Sequence, residues 1–93
     1  MKLVAALSNG KTLKPATFYI KYGAVSFPDT DVTKYDKNSL SDTDGKYDFK
    51  GLASGDYYIY ATGTDNGVNV TGSVHVILST DELKDNVTIT VAP

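Results

Sequence analysis

Apolar and polar residues alternate with a period of two along most of the chain, and clusters of Gly, Asn, Asp and Ser separate the runs. Residues 2–7 form a short extended run closed by Ser8-Asn9-Gly10-Lys11, where Asn-Gly is a strong hairpin-turn signal. In 17–22, Phe18, Ile20 and Tyr22 share one face and Thr17, Tyr19 and Lys21 the other, so the first set is expected to look inward. Segment 23–43 is polar and irregular. Pro28 forbids a central strand around it, and the alternation of Val25 and Phe27 predicts a brief edge strand just before it. The remainder reads as a loop long enough to be a place to look for function.

From Lys46 the alternation sharpens, with Tyr47 and Phe49 pointing one way, Asp48 and Lys50 the other, and Leu52 closing the run. Residues 56–62 repeat it, placing Tyr57, Ile59 and Ala61 on one face and Tyr58, Tyr60 and Thr62 on the opposite one; the two runs read as a hairpin-like pair. Thr64-Asp65-Asn66-Gly67 is a second turn. After it, Val68, Val70, Val74, Val76 and Leu78 keep one parity across Gly72, which predicts one long strand bent or bulged at the glycine. Ser79 and Glu82 have the spacing of a capping box, predicting a helical turn over 79–84. Val87, Ile89 and Val91 then face inward, and Thr88 and Thr90 face water. The pattern predicts an all-β fold, a two-sheet Greek-key sandwich of about seven strands. Its expected core is Leu3, Phe18, Ile20, Tyr47, Phe49, Leu52, Tyr57, Ile59, Val74, Val76, Val87 and Ile89.

Ninety-three residues suit one domain over 1–93. Nine basic residues, all Lys, against eleven acidic ones give a net charge of -2, which argues against nucleic acid, whose phosphates call for a concentrated basic face. No Cys excludes disulfide staples and thiolate metal sites, and one His excludes a multi-histidine site. No apolar stretch is long enough to span a bilayer, so no membrane span is expected in this chain.

The segment Asp42-Thr43-Asp44-Gly45-Lys46-Tyr47-Asp48-Phe49-Lys50-Gly51-Leu52-Ala53-Ser54-Gly55-Asp56-Tyr57 and the run after it resemble the signature of transthyretin-like, or prealbumin-like, sandwich modules. Carboxypeptidase regulatory-like domains and collagen-adhesin B-type repeats belong to this group. Their cores read as an Asp/Gly turn, Gly-x-Tyr/Phe-x-Phe, then a Leu-x-x-Gly-x-Tyr corner. The resemblance covers about 20 of the 93 residues. It has a physical sense: Gly45 relieves a tight turn, Tyr47 and Phe49 fill the core, and Gly55 lets the chain reverse so that Tyr57 re-enters it.

The resemblance implies a prealbumin-like or Ig-like sandwich serving as a non-catalytic structural or spacer module, without cofactor, in a bacterial secreted or cell-envelope protein. A periplasmic, cell-surface or secreted address is expected, with any export signal or lipid anchor removed from this chain, and a monomeric state. The alternative is a module that binds a glycan or another envelope protein through exposed tyrosines and the 23–43 segment. Seven Tyr and no Trp make tyrosine the compositional outlier, and outward parity assigns Tyr19, Tyr58 and Tyr60 to this candidate ligand surface. Strand propensity and cross-strand pairing explain the same residues without a ligand.

Sharper chemistry finds less support. Transthyretin-like hydrolases use several His, an Arg and a Tyr-Arg-Gly-Ser ending, whereas this chain has one His, no Arg, and ends Thr90-Val91-Ala92-Pro93. His75 lies between Val74 and Val76, so it is expected on the outer face of its strand without a nucleophile or carboxylate marked for it. Asp29, Asp31, Asp36, Asp42, Asp44 and Asp48 are hard oxygen donors, yet aligning Gly45 with the glycine of a calcium loop puts Leu40 first and Gly51 last, so turn roles are expected and no metal. Collagen-adhesin B-type repeats often join a Lys on an early strand to an Asn on the last, helped by a buried acid. Lys2 and Asn86 hold the corresponding places, but Ala61-Thr62 stands where the acid is usual, so no crosslink is expected.

Overall fold

The computed structural model describes residues 1–78 and 86–93. Seven strands build two sheets: β1 (Lys2–Leu7), β2 (Ala16–Tyr22), β3 (Lys37–Leu40), β4 (Lys46–Asp48), β5 (Gly55–Asp65), β6 (Val68–Leu78) and β7 (Asn86–Val91). One sheet has the order β4-β1-β7 and the other β3-β2-β5-β6. The chain changes sheet four times among them, between β1 and β2, β3 and β4, β4 and β5, and β6 and β7, as a Greek-key sandwich requires. All the strand pairs are antiparallel except β1 with β7, which run parallel from Lys2 opposite Asn86 to Leu7 opposite Val91.

The inward parity read from the sequence fills the space between the sheets. Leu3 and Ala5 of β1 and Ile89 and Val91 of β7 face Phe18 and Ile20 of β2, Tyr57, Ile59 and Ala61 of β5, and Val70, Val76 and Leu78 of β6, all buried. Tyr47, Leu52, Val74 and Val87 are half-buried against this cluster. Tyr47 and Phe49 meet edge to face at 4.8 Å, the favoured arrangement of two ring quadrupoles. Tyr57 donates its hydroxyl to the Ala53 carbonyl at 2.5 Å, which pins the glycine corner to the strand that follows it. At the preceding turn Gly45 is buried with φ +82; a Cβ there would also press on Thr12 and on the Leu13 carbonyl.

Several expectations are corrected. Asn9-Gly10 does turn the chain, but the returning segment makes one bridge, Thr12 to Ala6, before crossing to the other sheet. A two-strand ribbon there would leave the inner face of β2 without a layer to cover it. Val25 and Phe27 form no strand; the edge strand is β3, reached through a one-turn 3₁₀ helix, Val32–Lys34. The 46–52 and 56–62 runs are not a hairpin, since β4 pairs with β1 while β5 pairs with β2 and β6. Residues 49–54 between them carry the chain across the edge of the sandwich, a path that brings Leu52 against the core. Tyr22 shares the parity of Phe18 and Ile20 yet is 41% exposed: it is the last residue of β2, and its ring meets that of Tyr57 edge to face at 5.6 Å. Gly72 makes no bulge, for the β5–β6 register runs unbroken through Ala61 opposite Gly72. Its lack of a side chain serves packing: a Cβ would lie 2.0 Å from the Thr90 carbonyl oxygen of β7. The helical turn expected over 79–84 lies outside the described residues.

Candidate functional site: the outer face of the four-stranded sheet

Outward parity and strand register together assemble the aromatic face. Tyr19 of β2 stands opposite Tyr60 of β5, Lys21 opposite Tyr58, and Tyr58 opposite His75 of β6. The three tyrosines proposed as a ligand surface are therefore neighbours. Their exposure differs from the expectation: Tyr60 is 7% exposed, and Tyr19 and Tyr58 are half-buried.

The cover is the chain's own segment 23–36, which folds over this face as a strap. Phe27 meets Tyr60 at 5.5 Å and Tyr58 at 6.0 Å, both in edge-to-face arrangements. Tyr35 stacks on Tyr60 at 5.8 Å and tilts against Tyr19 at 6.0 Å. Burial pushes the Tyr35 phenol above the usual tyrosine range, and its hydroxyl donates to the Asp29 carbonyl at 2.8 Å. Parity named the correct face but could not reveal that a polar, irregular segment would lie on it. Tyr35 is the residue that sequence reasoning missed; its one signal is an isolated ring within a run of Asp, Thr and Lys.

The strap's carboxylates are engaged in holding its own shape. Asp31 caps the 3₁₀ turn, accepting from the Thr33 hydroxyl at 2.6 Å and from its backbone N–H at 3.0 Å; these bonds hold its carboxyl below the usual range. Asp29 accepts from the Asp31 N–H and lies 3.7 Å from Lys34 Nζ. Asp36 accepts from the Tyr22 N–H at 2.8 Å and from Lys21 Nζ at 3.4 Å, fastening the far end of the strap to β2. At the next turn Asp42 accepts from the Asp44 and Lys46 N–H groups. Among the described residues no group of three or more His, Asp or Glu side chains converges as a metal site would need.

His75 stands on the outer face, as its parity indicates, with Nε2 2.9 Å from Asp56 Oδ1 and its ring stacked on Tyr58 at 6.2 Å. A nucleophilic relay needs a hydroxyl on the imidazole as well as a carboxylate in a dry pocket. The pair instead sits open to water at the margin of the sheet, with side chains 33% and 42% exposed. On the other sheet, register sets Lys2 between Asp48 of β4 and Asn86 of β7. Lys2 and Asn86 both point to solvent, not into the dry interior that an amine-to-amide transfer requires, and Asp48 shares their outward parity.

Two sheets of three and four strands, crossed by the chain in this order around an aromatic corner, match a known pattern. The family model described as the SpaA prealbumin-like fold domain matches residues 6–93. The chain belongs to this SpaA family. No curated protein and no solved structure matches the chain. SpaA prealbumin-like domains are typical of bacterial surface pilins and adhesins, where they are structural modules without catalysis. In this SpaA domain no helix among the described residues is long and apolar enough to cross a membrane.

Proposed function

We propose that this SpaA domain is a non-catalytic structural or spacer module of a bacterial secreted or cell-envelope protein, one monomeric domain over 1–93 in a periplasmic, surface or secreted setting. The observation that carries the reading is the self-covered aromatic face. The rings that a ligand platform would present are used to seat the strap, and the gap between the sheets is filled by apolar side chains. A body packed this way keeps its shape under load and sets a fixed distance, its longest dimension being 37 Å.

Tandem copies joined by short linkers test this. Small-angle scattering is expected to show the maximum dimension growing by a constant increment, at most about 37 Å plus the linker, for each copy added. Increments that shrink or scatter would show that the units do not act as rigid spacers. Specific retention on a glycan array, lost in Tyr58→Ala, would transfer the assignment to a binding module.

A further inference from the structure

We infer that the parallel ladder between β1 and β7 is a shear clamp, the element through which this domain carries tension along the chain. The inference rests on the structural-module reading and adds how that module resists force. Its basis is the direction of two strands. β1 and β7 are neighbours, run the same way, and pair over six positions from Lys2 with Asn86 to Leu7 with Val91. Polypeptide reaching β1 arrives at the Asn86 end of the ladder, and polypeptide leaving β7 departs from the Val91 end. Tension between them therefore pulls the two strands past each other along their own axes. The inter-strand hydrogen bonds of a parallel pair are evenly spaced, so such a load falls on all of them together. The same bonds loaded from one end would open pair by pair.

Two further features support the ladder. Its inner side is dry, since Leu3 and Ala5 of β1 and Ile89 and Val91 of β7 are each at most 1% exposed, so water cannot replace a strained bond from within. β7 is also held to the other sheet just beyond the ladder: the Thr71 N–H donates to the Ala92 carbonyl and the Ala92 N–H to the Thr71 carbonyl, both at 3.0 Å. Gly72 lets the β6 backbone approach Thr90 closely enough for this bridge to form. A strand anchored to both sheets cannot tilt out of the ladder and turn shear into peeling.

Single-molecule pulling in two geometries tests the clamp on one folded protein. In the first, the domain sits in a polyprotein and is stretched through its two ends. In the second, one handle is attached through Asn9→Cys and the other at the C-terminal end. The chain has no other thiol, and Asn9 is an exposed turn residue just past Leu7, so both handles pull from the Val91 end of the ladder. Matching circular dichroism and melting of Asn9→Cys and the parent protein confirm a common fold. The expected result is a rupture force severalfold higher in the first geometry, in one event that releases the whole folded length. Equal forces, or end-to-end traces in which part of the chain lengthens before the main rupture, would overturn the clamp. Neither outcome touches the spacer reading, which fails on scattering increments or ligand binding instead.

Discussion

The ring of Tyr60 lies stacked on that of Tyr35, centroids 5.8 Å apart and planes 19° from parallel, and meets Phe27 edge to face at 5.5 Å. A strand residue with outward parity thus becomes the floor of a second, smaller apolar cluster on the outside of the sandwich. Phe27 and Tyr35 of the strap rest on this floor, so the order of the strap depends on these rings.

Truncating the floor is therefore expected to cost far more than truncating its neighbour. Tyr60→Ala should destabilise the fold by about 3 kcal/mol, in the range for a buried aromatic, while half-buried Tyr58→Ala should cost about 1 kcal/mol. Urea unfolding measures both. Near-equal small losses would show that the strap does not rest on Tyr60.

The glycine corner gives a finer test. Tyr57→Phe keeps the buried ring and removes the hydroxyl that bonds the Ala53 carbonyl, so a loss of about 1 kcal/mol is expected, with the native fold retained by circular dichroism. An unchanged midpoint would mean that the corner is held by ring packing alone.

At Gly72 the obstacle to a side chain is backbone, the Thr90 carbonyl, which cannot swing aside. Gly72→Ala is expected to displace β7 and cost about 3 kcal/mol, as overpacking does. Ser73→Ala, one position along on the exposed face, should change stability by less than about 0.5 kcal/mol. Amide exchange would report the displacement as lost protection at Ala92 and Thr71.

The strap has a titrating group at each end of the pH scale. Asp31 is held below the ordinary 3.8, so its contribution is present above that value and lost as pH falls through the lower folded-state value. Tyr35 is held above the ordinary 10.0, so its contribution is present below 10.0 and lost as pH rises through the higher folded-state value. NMR titration should find the Asp31 midpoint below 3.8 and moved upward in Thr33→Val. Alkaline titration should find Tyr35 ionising above 10.0, and Tyr35→Phe should remove that part of the alkaline loss of stability.

Much of this was legible in the chain because strand geometry imposes a period of two on any residue that must be buried. Leu3, Phe18, Ile20, Phe49, Tyr57, Ile59, Val76 and Ile89 were identified as core from alternation alone, and all are buried. The turn at Asn66-Gly67, with φ of +51 and +79, follows equally from local chemistry, as does the aromatic corner that carries the family resemblance. The candidate tyrosine surface was legible only in part: Tyr19, Tyr58 and Tyr60 do share a face, but alternation says nothing of what covers that face.

The local pattern of residues by itself determined the fold class and, for the strands other than β3, which side is apolar, because these depend on the backbone's own periodicity. Tertiary structure alone decided that β4 joins β1 and not β5, that β1 and β7 run parallel as partners, and that Phe27 and Tyr35 bury Tyr60. Those outcomes depend on hydrogen-bond partners and apolar surfaces supplied by segments remote in sequence, and no local pattern records which remote segment will arrive.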